Sequence, residues 1–177
     1  MELSNGTCPQ VVGAVAPNRL SPDDSLVPGT RIPLPHIPPA FVANGSWFFI
    51  TLCCQQRGRN QLCQPKVSSL LLADGVFYHD RQRWALHLFL LMPDHLHLIA
   101  GFPVEENMSG VVRDWKRLTA RRAGIDWQRN YFDHRVRPDE GLQLKADYIR
   151  QNPVRAGLVN SADEWPHYID YRTLKGR

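Results

Sequence analysis

Eight of the fourteen prolines in this 177-residue chain fall between Pro9 and Pro39, four of them in the run Arg31-Ile32-Pro33-Leu34-Pro35-His36-Ile37-Pro38-Pro39. Proline fixes φ and donates no backbone hydrogen bond, so such a segment cannot carry a regular helix or a central strand. An extended tail over residues 1–43 is therefore expected, followed by one folded domain over 44–177, an ordinary size for a compact core. No run of about 18 uncharged apolar residues is present to span a bilayer, and the first 20 residues lack the basic start and apolar run of a secretory signal. A soluble, unexported, cytoplasmic protein is expected. The four cysteines (Cys8, Cys53, Cys54, Cys63) form no Cys-x-x-Cys pair and read as small buried thiols, not as a zinc site or a disulfide framework.

After the turn signal Asn44-Gly45, Ser46 to Cys54 is aromatic and β-branched and predicts a first strand. Residues 65–82 open on Pro65 and carry Val67, Leu70, Leu71 and Phe77 at helical spacing, with Gly75 weakening the later part. Trp84–Leu91 and His95–Phe102 are apolar runs separated by Met92-Pro93-Asp94, which predicts an antiparallel hairpin. From Met108, Val111, Val112, Trp115 and Leu118 define one face of an amphipathic helix whose other face is basic up to Arg122. Pro138 can open a last helix, with Leu142, Ala146 and Ile149 on one stripe and Pro153 ending it. The order β, α, β, β, α and a further helix predicts an α+β sandwich of ferredoxin-like type, an antiparallel sheet with helices packed on it.

Two patterns on this frame carry chemistry. In Pro93-Asp94-His95-Leu96-His97-Leu98 the histidines are two apart on a strand, so both imidazoles stand on one face while Leu96 enters the other. Neutral histidine is the commonest metal ligand, although His-x-His alone also suits solvated or core-edge residues. In Ala146-Asp147-Tyr148-Ile149-Arg150-Gln151-Asn152-Pro153, Tyr148 and Asn152 are four apart and would share one helical face. An amide oxygen could then join the two histidines at one metal with a phenol beside it; the simpler reading is a surface tyrosine and an Asn-Pro helix stop.

Together the segments WFFITL, LMPDHLHLI, WQRNYFDHRVR and YIRQNPVRAGLV with the following EWPHY, spanning Trp47 to Tyr168, resemble the HUH single-strand transposases, in particular the REP-associated tyrosine transposases. The order and spacing of these segments are far more specific than either motif alone. The resemblance implies a ferredoxin-like HUH nuclease domain that cuts single-stranded DNA through a covalent 5′-phosphotyrosine and a free 3′-hydroxyl. It implies Tyr148 as nucleophile, and His95, His97 and Asn152 as ligands of a divalent ion, magnesium or manganese. The partner would be single-stranded or hairpin DNA of REP type, the location the nucleoid, and the working form a monomer. A catalytically weak DNA-hairpin-binding regulator on the same scaffold is the alternative from another functional class.

Between Arg113 and Arg137 eight basic residues stand against three acidic ones. Arg113, Lys116, Arg117 and Arg121, with Arg122, lie on the polar side of the amphipathic helix; Arg129, Arg135 and Arg137 follow. Phosphate contact and a solvated helix face both account for them. Trp127, Tyr131 and Phe132 can stack on unpaired bases, with core packing the expectation for at least one. Lys145, about one turn before Tyr148, can approach the phosphate. His134 receives no ligand role from spacing. Among other tyrosines, Tyr78 comes closest to a rival nucleophile, through Gln82.

Overall fold

The computed structural model describes residues 46–137 and 141–171; the proline-rich segment 1–43, with Cys8 and His36, lies outside them. Strand β1 (Trp47–Cys53) is followed by helix α1 (Pro65–Asp80), the hairpin β2 (Ala85–Met92) and β3 (His95–Gly101), helix α2 (Met108–Ala123) and strand β4 (Phe132–Val136). Helix α3 (Leu142–Arg150), the single turn α4 (Asn152–Arg155), a 3₁₀ turn (Ala162–Glu164) and strand β5 (Tyr168–Asp170) complete the described chain. The sheet order is β4-β1-β3-β2-β5. Every pairing is antiparallel. The first four strands with α1 and α2 form the ferredoxin-like β-α-β-β-α-β unit, and β5 extends the sheet beyond β2.

Register decides which residues share a face. Thr51 and Leu90 lie opposite His97, and Cys53 and Met92 lie opposite His95. Cross-strand partners project to the same side, so His95, His97, Phe49 and Thr51 share one face. Phe48, Ile50, Leu52, Leu96, Leu98 and Phe89 take the other, against α1 and α2. There Phe89 meets Trp115 of α2 at 5.7 Å between ring centroids, and Trp115 meets Trp84 at 5.9 Å. Trp84, Phe89 and Trp115 are almost wholly buried, and the core is built around them. Helix α3 buries Ala146 and Ile149, and its Lys145 reaches Phe49, so α3 covers part of the histidine face.

The structure corrects the expected element list in four places. Helix α1 runs unbroken through Gly75, where it comes close to the sheet: a Cβ there would stand 3.3 Å from the Phe89 ring. Strands β4 and β5 were absent from the expectation. In FDHRV only Phe132 and Val136 are large and apolar, while β5 has three residues; both are edges whose hydrogen bonds come from β1 and β2. The last long helix begins at Leu142 after Gly141, whose φ of 66° lies in the left-handed region that glycine tolerates best; Pro138 falls outside the described residues. Finally, that helix ends at Arg150, and Pro153 sits in the first turn of α4 instead of stopping α3.

Cys53, Cys54 and Cys63 are free and buried, as expected of structural thiols. Burial, with the nearby Asp94 carboxylate adding to it, pushes Cys54 and Cys63 up to about 12, which leaves almost no thiolate at neutral pH.

Candidate active site

The tight turn Pro93-Asp94 delivers His95 and His97 to the face of the sheet that α3 partly covers. Their rings lie 4.8 Å apart between centroids and nearly perpendicular, at 84°. Each has its Nδ1 engaged. His95 Nδ1 donates to Asp94 Oδ1 at 2.6 Å, and His97 Nδ1 lies 3.0 Å from Thr51 Oγ1. With its Nδ1–H given to Asp94, His95 presents Nε2 to a ligand, and His97 does the same in the tautomer that donates Nδ1–H to Thr51 Oγ1, the usual second-sphere arrangement at histidine metal sites. Burial holds His95 below the ordinary imidazole range, although the Asp94 carboxylate pulls the other way. His97 is held well below it, first by burial and then by the neighbouring His95, Arg155, Arg57 and Lys145. Both rings are therefore neutral at physiological pH, the state in which imidazole binds a metal.

Asp94, the turn residue before His95, carries more of the site than its place in the turn suggests. Its second oxygen accepts from the Gly58 backbone N–H at 2.7 Å and pairs with Arg57 Nε at 3.0 Å. Burial alone would raise this carboxyl; the Gly58 N–H, the His95 ring and Arg57 together hold it below the usual carboxylate value. One side chain thus orients His95 and ties the β1–α1 loop to the turn. Its signal in the sequence was position: the residue before His95, in a two-residue turn, remains beside the ring instead of crossing to the opposite face.

Tyr148 and Asn152 belong to consecutive helices, Tyr148 near the end of α3 and Asn152 as the first residue of α4. The break is narrow, with Gln151 in helical conformation and its N–H bonded to Tyr148 O at 3.3 Å. Arg155 joins the two residues: its guanidinium lies 3.9 Å above the Tyr148 ring centroid, and its Nη2 donates to Asn152 Oδ1. Lys145 Nζ lies 5.8 Å from the Tyr148 ring and 4.8 Å from the Phe49 ring. Phe49 in turn stands 5.5 Å from His97. An unbroken path of contacts therefore runs from His97 through Phe49 and Lys145 to Tyr148, and on through Arg155 to Asn152. Tyr148 is 41% exposed, open to a large substrate.

Among the described residues no group of three or more His, Cys, Asp and Glu side chains converges as a metal cluster. A divalent ion here would rest on the two Nε2 atoms and on Asn152. The histidine pair fits, being neutral and oriented, and Asn152 Oδ1 faces Arg155 in this structure.

Of the basic residues weighed for DNA contact, Lys145 is brought to this site, whereas Arg122 pairs with Asp74 of α1. Arg113, Lys116, Arg117 and Arg121 ride on α2, across the sheet, and Arg135 pairs with Phe48 and so projects to that far side. Arg137 follows the end of β4. Lys116 is turned to the protein's own backbone, donating to Gln128 O at 2.6 Å and Arg129 O at 3.0 Å, and burial lowers its pKa. Trp127 packs at 5.8 Å from Trp115 and donates to Thr119 Oγ1, while Phe132 packs at 6.0 Å from Phe49. The rival Tyr78 is buried on α1, and Gln82 lies past that helix at φ 57°. Thr51, Arg57, Asp94 and Arg155 are the site residues that sequence reasoning missed.

No protein-family model matches the chain. Over 137 residues it is 28% identical to the REP-associated tyrosine transposase of Escherichia coli strain K12, covering 76% of this chain and 81% of that protein. Over 103 residues it is 29% identical to a Haemophilus influenzae protein named as a putative REP-associated tyrosine transposase, covering 48% of this chain and 58% of that one. Among solved structures, a REP-associated tyrosine transposase bound to a REP hairpin superposes with a TM-score of 0.64 at 23% identity, covering 75% of this chain and 81% of the other. In sequence over 76% of its length, and in fold, this chain resembles the REP-associated tyrosine transposases.

Proposed function

We propose that this protein is a metal-dependent, tyrosine-nucleophile DNA endonuclease and strand transferase acting on single-stranded or hairpin DNA. The observation that carries the reading is the continuous path from an oriented, neutral histidine pair to an exposed tyrosine flanked by two cations. Similarity to REP-associated tyrosine transposases over most of the chain supports it.

The Tyr148 phenol oxygen would attack the scissile phosphorus as the P–O3′ bond breaks. The 5′ phosphate stays on the tyrosine, the 3′ oxygen takes up a proton and the phenol proton is lost. A phenol with an unperturbed pKa near 10 is a weak nucleophile at neutral pH, so its surroundings must favour the reaction. Lys145 and Arg155, both beside the ring, offset charge on the non-bridging oxygens. A magnesium or manganese ion held by His95, His97 and Asn152 would polarise the phosphate and stabilise the leaving oxygen. Thr51 and Asp94 hold the two rings in ligand orientation. The phosphotyrosyl bond retains the energy of the broken diester, so attack by another 3′-hydroxyl restores a strand without ATP.

The test is incubation of the purified protein with labelled hairpins drawn from DNA flanking its own gene, with and without manganese or magnesium. A denaturation-resistant protein–DNA adduct is expected that requires the metal and vanishes in Tyr148→Phe, while that variant still binds the hairpin. Binding without any adduct in either metal would replace the enzyme with a hairpin-binding regulator.

A further inference from the structure

Arg155 makes two contacts at once. Its guanidinium is centred over the Tyr148 ring, and the same group binds the oxygen of Asn152, the residue needed as third metal ligand. It is exposed, so neither contact is forced by packing. Around the histidine pair stand three cations, Arg57, Lys145 and Arg155, and the nearby carboxylate of Asp94 is already committed to Gly58, Arg57 and His95. A divalent cation entering this setting meets repulsion and a third ligand held by a guanidinium. A phosphodiester meets the opposite conditions, and guanidinium binds phosphate oxygens more strongly than an amide oxygen.

We propose that Arg155 is the scissile-phosphate-binding residue and that it exchanges Asn152 for the phosphate, so that the third metal ligand is released only when DNA is in place. This rests on the tyrosine-nuclease reading and adds to it a rule of assembly: metal and DNA bind cooperatively, each favouring the other through one side chain. Centred over the ring, the guanidinium needs to move little to hold a phosphate against the phenol oxygen. A protein assembled this way keeps its metal site incomplete until substrate arrives.

Manganese binding, followed by electron paramagnetic resonance on the full chain, tests the exchange directly. The Tyr148→Phe protein is titrated with manganese alone and with a saturating hairpin from the flanking DNA; the second variant adds Arg155→Gln. In the first protein the hairpin is expected to raise manganese affinity about tenfold, a common size for such coupling. With Arg155→Gln, affinity without DNA should rise, the hairpin's effect should shrink towards none, and hairpin affinity should fall. In the Tyr148-containing protein, Arg155→Gln should cut the adduct rate, with Arg155→Lys recovering part of it. Unchanged manganese coupling in Arg155→Gln overturns the exchange even if the wild-type protein forms its adduct. Absence of both adduct and manganese binding in the wild-type protein overturns the nuclease reading, and the exchange with it.

Discussion

Asp94 shows how much of this site is set by one side chain that performs no chemistry. Its carboxylate accepts from His95, from the Gly58 N–H and from Arg57, and its side chain is 12% exposed, so these bonds lie in a weakly screened setting. Replacing it by Asn keeps the shape, removes the charge and places an amide N–H₂ against existing donors. Manganese affinity is expected to fall roughly 10- to 100-fold, the usual effect of losing a group that orients a metal-binding histidine. A stability effect follows from the same depressed pKa. The unfolded carboxyl titrates near 3.9, so the contribution of Asp94 is present above that pH and is lost as pH falls through its lower folded value. Urea midpoints measured from pH 7 down to pH 2 should show Asp94→Asn starting lower and falling less steeply on the acid side. Parallel curves for the two proteins would refute this role. The sequence displayed the histidines but concealed Asp94, since nothing in Pro-Asp-His distinguishes a clamp from a polar turn residue.

At the scale of elements, legibility followed hydrophobic periodicity. Strands β1 to β3 and helix α2 were readable because their buried faces are dense in Phe, Leu, Ile, Val and Trp. β4 and β5 were not, since short edge strands take their order from a neighbour's hydrogen bonds and carry little pattern of their own. The placement of Tyr148 near Asn152 was legible from spacing, whereas the break between α3 and α4 that separates them was not. Gly75 was misread as a weak point because propensity counts the backbone and ignores the partner. In the fold it is a site of close approach: a Cβ there would meet the Phe89 ring at 3.3 Å, and Trp115 packs edge-on to that ring. Gly75→Ala gains about 1 kcal/mol of helix propensity, yet places a methyl 3.3 Å from a fully buried ring. The two effects should nearly cancel. Gly75→Leu gains no more propensity and drives α1 off the sheet, so a loss of about 3 kcal/mol is expected. Chemical denaturation of the two variants separates the cases, and a Leu variant as stable as the Ala variant would show that α1 does not press on Phe89.

For the molecule as a whole, the sheet separates two basic regions. On one side stand the histidine pair, Tyr148 and the cations Arg57, Lys145 and Arg155; on the other, Arg113, Arg117 and Arg121 project from α2. A phosphate at Tyr148 cannot also touch α2, so the arginines there can contribute only to a strand or hairpin long enough to pass round a sheet edge. Removing all three as Arg→Gln should leave adduct formation on an oligonucleotide of a few nucleotides within about twofold, because chemistry and distant phosphate contacts are separable. Affinity for a full hairpin should fall and lose salt dependence, by about one counterion for each arginine that meets a phosphate. Lys145→Gln should do the reverse. It should slow adduct formation on the short oligonucleotide by roughly a hundredfold, the scale for losing one charge aimed at a reacting phosphate, with little change in the salt slope. A triple variant that fails equally on short and long DNA would mean that the substrate reaches the tyrosine across the α2 side, and the division of labour between the two faces would be wrong.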